Sequence, residues 1–94
     1  DLVLERIHGL GPMGGTELDP ILRNLGATTV VGVGVSVNVG MLDFCMDAVN
    51  AGYQFVMPRD AVAGVPEDYA EAVLDNTFAL LATLPSTDEV LAAW

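Results

Sequence analysis

The sequence contains no lysine and only three arginines, Arg6, Arg23 and Arg59, among its 94 residues. Schiff-base chemistry, P-loop phosphate binding and any lysine-dependent triad are therefore excluded from this chain. Thirteen Asp and Glu bring the formal net charge to −10. A surface of that sign opposes a phosphate backbone and an anionic leaflet, so neither nucleic acid nor a membrane is an expected partner. A single cysteine, Cys45, rules out an internal disulfide and a multi-cysteine zinc site. The one histidine, His8, has no nearby His or Cys with which to hold a metal. No metal and no cofactor is expected. No apolar run reaches the about 18 uninterrupted residues that span a bilayer. No basic segment followed by a cleavage site opens the chain, and the cytoplasm is the expected location. The first residue is Asp1 rather than Met, which suggests a processed or truncated piece of something longer.

Apolar residues make up 52% of the chain, which excludes disorder. The length allows one small domain over residues 1–94, complete or partial. Such a domain buries about 60–65% of the surface its unfolded chain exposes, so its stability is marginal. The pattern alternates strand and helix. Leu2, Val3 and Leu4 predict a first strand ending at Glu5–Arg6. Five glycines and prolines between Gly9 and Gly15 predict a loop. Thr16 is expected to cap a helix with Asp19 three residues on, and Gly26 to stop it. Residues 28–35 form a nearly continuous apolar run, predicted to be a strand buried on both faces. Residues 40–51 predict a helix ended by Gly52, residues 53–57 a third strand, and residues 58–64 a loop. Pro66 is expected to start a long helix that Pro85 ends, and Thr87 a last short one. This order implies right-handed crossovers and an α/β fold, a three-layer α/β/α sandwich on a parallel sheet. Three strands leave two exposed edges, which predicts cover from the rest of a longer chain or from another subunit.

In open α/β sheets the site lies beyond the carboxyl ends of the strands. Those ends place Arg6 and His8, residues 36–40, and Arg59 on one rim. Two of the three arginines and the only histidine gathered there suggest a pocket for a carboxylate or other anion. The plainer alternative pairs Arg6 and Arg59 with nearby carboxylates. The stretch from Val33 to Gly40 runs from a strand through a short polar turn containing Ser36 and Asn38 into a helix. Its N-terminus offers unpaired N–H groups to an anion or oxyanion. Gly32 and Gly34 do not make a dinucleotide fingerprint, because the third glycine position is Val37. Cys45 lies more than one turn into the helix among Met41, Leu42, Phe44 and Val49, and reads as an inert core thiol. Ser36 as a nucleophile would need His8 as its base; a satisfied or solvent-facing His8 is the simpler expectation. Asp43 and Asp47, and likewise Glu67, Glu71 and Asp75, read as solvated helix faces.

The chain resembles the isochorismatase-like cysteine hydrolases, the superfamily that includes nicotinamidases and N-carbamoylsarcosine amidases. The resemblance rests on Gly15–Thr16–Glu17–Leu18–Asp19, Gly34–Val35–Ser36–Val37–Asn38–Val39, Asp47–Ala48, Gly52–Tyr53–Gln54–Phe55–Val56 and Arg59–Asp60–Ala61. It covers nearly the whole chain but only the C-terminal half of a typical member. It implies an isochorismatase-like, Rossmann-like fold, present in part. It also implies hydrolysis by an Asp–Lys–Cys triad with the Cys at the start of the helix. In this sequence the Cys position is Gly40 and the closest match to the Lys is Arg6. The Asp-bearing strand and the metal-binding segment of nicotinamidases have no counterpart here.

By the same resemblance, the amides of Ser36 and Gly40 line an oxyanion pocket and the Val35–Ser36 peptide is cis. A guanidinium stays protonated and cannot shuttle a proton as a perturbed lysine does. The expectation is therefore a family member without the cysteine mechanism, an oligomer or part of a longer chain. Its residual cleft of Arg6, His8, Ser36, Asn38, Gly40 and Arg59 would bind a small carboxylate or amide. The alternative is a non-catalytic oligomeric assembly or scaffold subunit, supported by the exposed sheet edges and the terminal Trp94.

Overall fold

A computed structural model describes residues 1–94. Its elements run α1 (Pro12–Gly15), α2 (Leu18–Asn24), β1 (Thr29–Val31), β2 (Gly34–Val35), α3 (Gly40–Asn50), β3 (Gln54–Val56), a 3-10 turn (Arg59–Ala61), β4 (Val62–Ala63), α4 (Glu67–Val73), a π turn (Leu74–Phe78), α5 (Ala79–Leu81) and α6 (Thr87–Ala93). The α/β class with parallel pairing holds. β1 lies parallel to β3, Val30 opposite Phe55, and β2 lies parallel to β4. Thr83 extends the first sheet beyond β3 through a parallel bridge to Val56.

The expected first strand is absent. Residues 1–7 have no regular secondary structure and are exposed throughout, Val3 at 90% and Ile7 at 89%. Their apolar side chains suit a strand, but a strand exists only when a neighbour takes up its backbone groups, and none lies beside them here. The run at 28–35 is broken in two at Gly32 and Val33. Gly34 has a φ of 129°, a conformation that only glycine adopts readily. Burial within the run alternates: Val30 and Gly32 face the core while Val31, Val33 and Val35 face out. The expectation of burial on both faces therefore fails on the odd-numbered side.

The helix at 40–50 forms as its spacing predicts, placing Met41, Cys45 and Ala48 in the core. It ends in a Schellman motif, with Gly52 at φ 97° and the Tyr53 amide donating to the Ala48 carbonyl at 3.0 Å. α2 ends in the same way at Gly26. Its start departs from a capping box: the Leu18 amide donates to Thr16 Oγ1 at 3.0 Å. Asp19 instead accepts from Tyr53 Oη at 2.7 Å and pairs with Arg23 at 3.2 Å. Two elements appear where loops are expected: α1 begins at Pro12, whose fixed φ suits a first helical turn, and β4 pairs with β2.

The long helix starts after Pro66 but widens to a π turn at 74–78 and stops at Leu81, short of Pro85. It stops because residue 83 turns to the sheet. The Thr83 amide donates to the Phe55 carbonyl, and the Met57 amide to the Thr83 carbonyl. The last helix carries a capping box, with Ser86 Oγ accepting from the Glu89 amide and Glu89 accepting from the Ser86 amide. The core lies between α3, the sheet and the α4–π segment. Val37, Cys45, Met57 and Phe78 are fully enclosed, and Phe44 meets Phe55 edge to face at 5.0 Å. No helix is long and apolar enough to cross a membrane.

Candidate functional site: the turn from β2 to α3

The end of β2 is held by β4, with the Val37 amide donating to the Ala63 carbonyl at 2.8 Å. The chain then reverses within one turn. The Ser36 carbonyl accepts from the amides of both Val39 (3.2 Å) and Met41 (3.0 Å). The Val35–Ser36 peptide is cis, as the resemblance implies. The amides of Ser36 and Gly40 donate to no group of the protein. α3 begins at Gly40 with no side chain capping it. Its first turn therefore presents free N–H groups and the positive end of its dipole. A Cβ at Gly40 would stand 3.2 Å from the Leu10 carbonyl oxygen, so the residue 8–11 loop lies directly over the helix start.

Asn38 braces this turn from the side. Its Nδ2 donates to the Val65 carbonyl at 3.3 Å, and its buried Oδ1 has no partner. Gly64 is packed so closely on that oxygen that a Cβ there would overlap it. Asn38 is thus tied to the loop after β4, a relationship invisible from its position in the sequence.

The structure separates the other expected rim residues. Arg6 and His8 are exposed. The Arg6 stem lies over Gly15, and its groove is lined by Leu2, Leu4, Pro12, Thr16, Leu18 and Phe44, without Ser36 or Gly40. Arg59 turns to the long helix, where Nη2 donates to Glu71 Oε2 and to Asp75 Oδ1, each at 2.6 Å. Those two carboxylates hold the guanidinium pKa above its ordinary value. Glu67, Glu71 and Asp75 are exposed, as expected of a solvated face, and Glu71 and Asp75 also pair with Arg59.

Cys45 is enclosed, and burial pushes its thiol up to about 11. At neutral pH it is not a nucleophile. Asp43 and Asp47 also depart from expectation: both are half-buried, and Asp43 packs against Gly11. Burial first, then the charge and hydrogen bond of Asp43, raises the Asp47 pKa. Glycines at 11 and 64 were the available signals for these close approaches.

The isochorismatase domain family matches residues 1–89, and the chain belongs to that family. Among curated relatives, the uncharacterized isochorismatase family protein YwoC of Bacillus subtilis is 32% identical over 81 residues. The match covers 86% of this chain and 43% of YwoC. An isochorismatase family protein from Burkholderia thailandensis superposes with a TM-score of 0.93 at 31% identity, over 99% of this chain and 48% of its own. N-carbamoylsarcosine amidase from Thermoplasma acidophilum superposes at 0.80 with 31% identity, over 94% of this chain and 49% of its own. The chain is an isochorismatase-family, hydrolase-like domain. It spans about half the length of the relatives it matches.

Proposed function

We propose that the turn from β2 to α3 binds a small carboxylate or amide without cleaving it by cysteine chemistry. The observation that carries this reading is the pair of unpartnered amides at Ser36 and Gly40, opening a helix that has no side chain at its first position. Two N–H donors at a helix start favour an oxygen bearing full or partial negative charge. The amidase name of the Thermoplasma relative supports the amide and carboxylate class. Cleavage would need a nucleophile beside those donors. Gly40 supplies none, and Cys45 is enclosed and protonated.

The test is amide-resolved NMR of the 94-residue chain titrated with small carboxylates and their amides. Saturable shifts at Ser36 and Gly40 are expected. Shifts spread evenly over the surface, or none at these two amides, sink the reading. A scaffold role is favoured by a different observation, the large apolar side chains left exposed along residues 2–10 and 31–39.

A further inference from the structure

We propose that Asp43 and Asp47 form a proton-operated latch on the residue 8–11 loop. The latch is closed over the first turn of α3 while the two acids share a proton, and open once both are charged. The proposal stands apart from what Ser36 and Gly40 bind.

The loop is seated on α3 by a single joint. No backbone hydrogen bond joins residues 8–11 to α3. Residues 8–10 are exposed, whereas Gly11 is buried. A Cβ on Gly11 would overlap the Asp43 carboxylate and stand 3.4 Å from the Phe44 nitrogen. That contact holds the neighbouring Leu10 carbonyl over Gly40. α3 itself is anchored in the core by Met41, Cys45 and Ala48. A change at the joint therefore moves the loop and leaves the helix in place.

The joint is built on two acids that no cation answers. Asp43 and Asp47 lie one turn apart on α3, and both are half-buried. α1, β2, β3 and α5 pack against α3, and none of the four carries an ionisable side chain. Asp1, Glu5, Arg6 and His8 are the titratable residues leading into the loop, and all are exposed. The ion pairs of the chain join Arg23 to Asp19 and Arg59 to Glu71 and Asp75, and include neither Asp43 nor Asp47.

Like charges at this spacing repel, and partial burial strengthens the repulsion. One shared proton relieves it: the Asp47 carboxyl donates to Asp43, and the pair carries a single charge. Burial first, then the charge and hydrogen bond of Asp43, keeps that proton on Asp47 above the ordinary carboxylate range. As pH rises through the raised value, the proton leaves and the bond between the acids is lost. Asp43 then swings toward water. Gly11 loses the carboxylate that holds it, and Leu10 lifts from Gly40.

The test is a titration of the 94-residue chain by carbon-detected NMR from about pH 4 to about pH 8, which spans the ordinary carboxylate and imidazole values. The side-chain carboxyl carbons of Asp43 and Asp47 are read beside the Cα carbons of Gly9, Leu10 and Gly11. The cross-peak between Gly11 Hα and Asp43 Hβ is followed in the same samples. The loop carbons are expected to move with the midpoint of the Asp47 carboxyl, and the cross-peak to be lost above it. In Asp47→Asn the side-chain amide still donates to Asp43, so the loop should stay closed and its transition disappear. His8→Gln removes the one titrating side chain of the loop itself and should leave the transition in place. The proposal is overturned if Asp47 titrates while Gly11 Cα and the cross-peak hold still, a result read in the parent chain without any variant. It is also overturned if the loop transition survives Asp47→Asn or vanishes in His8→Gln.

Discussion

The Asp43 carboxylate lies against the Cα of Gly11, so closely that a Cβ on Gly11 would overlap it. This one approach fixes the glycine-rich loop over the first turn of α3. A small residue at 11 and a short acid at 43 are complementary parts of the same joint.

Replacing Gly11 with Ala is expected to destabilise the chain by about 1–3 kcal/mol through overpacking. The G11A/D43A double variant should recover a large share of that loss, because the clash belongs to the pair. Urea unfolding of the four members of the cycle checks this. Additive effects would separate Gly11 from Asp43.

Asp47 makes stability depend on pH in a definite direction. Its pKa is raised in the folded state, so the folded chain holds the proton more tightly than the unfolded one. Stability therefore falls as pH rises from the ordinary carboxylate value, about 4, through the raised folded value. Asp47→Asn removes that loss. It should unfold at higher urea than the parent at pH 7, with the difference closing below pH 4.

Asp60 acts with the opposite sign. Its Oδ1 accepts from the Thr87 amide at 2.8 Å and from Thr87 Oγ1 at 2.7 Å, and these bonds hold its pKa below the ordinary range. The stability it contributes is present above the unfolded pKa and lost as pH falls through the lowered folded value. Asp60→Asn should loosen α6 at neutral pH, read as faster exchange of the Thr87 amide, and change little at pH 2.

Phe78 is fully enclosed at the end of the π turn. Phe78→Ala is expected to cost about 3–5 kcal/mol. Only 15 of the 94 residues are buried, so that loss should leave little folded chain. Loss of cooperative thermal unfolding in the variant is the readout, and Phe78→Leu should keep it.

Cys45 should resist alkylation in the native chain. A thiol near 11 is at least about 100-fold less ionised at pH 8 than a free one, and its enclosure slows access further. Mass spectrometry after iodoacetamide treatment, with and without urea, measures the contrast.

Elements with a complete local signal were legible. The helix at 40–50 carries apolar spacing and a glycine stop, and the strand at 54–56 is short and flanked by Gly52 and Pro58. Elements that depend on a distant partner were not. Residues 2–6 have the composition of a strand and no neighbour to pair with. Val62–Ala63 reads as loop and becomes a strand because β2 lies beside it. The end of the long helix depends on Thr83 reaching β3, which no local stop marks. At the site, the strand–turn–helix pattern marked the turn into α3, and the family resemblance singled out the amides of Ser36 and Gly40. Arg59 pairs with helix carboxylates, Glu71 and Asp75, as the plainer alternative expected, whereas the partner of Asn38 lies 27 residues away, beyond the reach of spacing arguments.

The placement of the arginines has a kinetic consequence. Arg23 and Arg59 are neutralised by Asp19, Glu71 and Asp75, which leaves Arg6 as the single arginine without a carboxylate within salt-bridge distance. On the proposed reading, an anion bound for the start of α3 approaches against a net charge of −10 and meets the free amides of Ser36 and Gly40 only at contact. Added salt shortens the range of that repulsion. Capture of a carboxylate should quicken as ionic strength rises, the reverse of the dependence seen where a basic funnel guides an anion home.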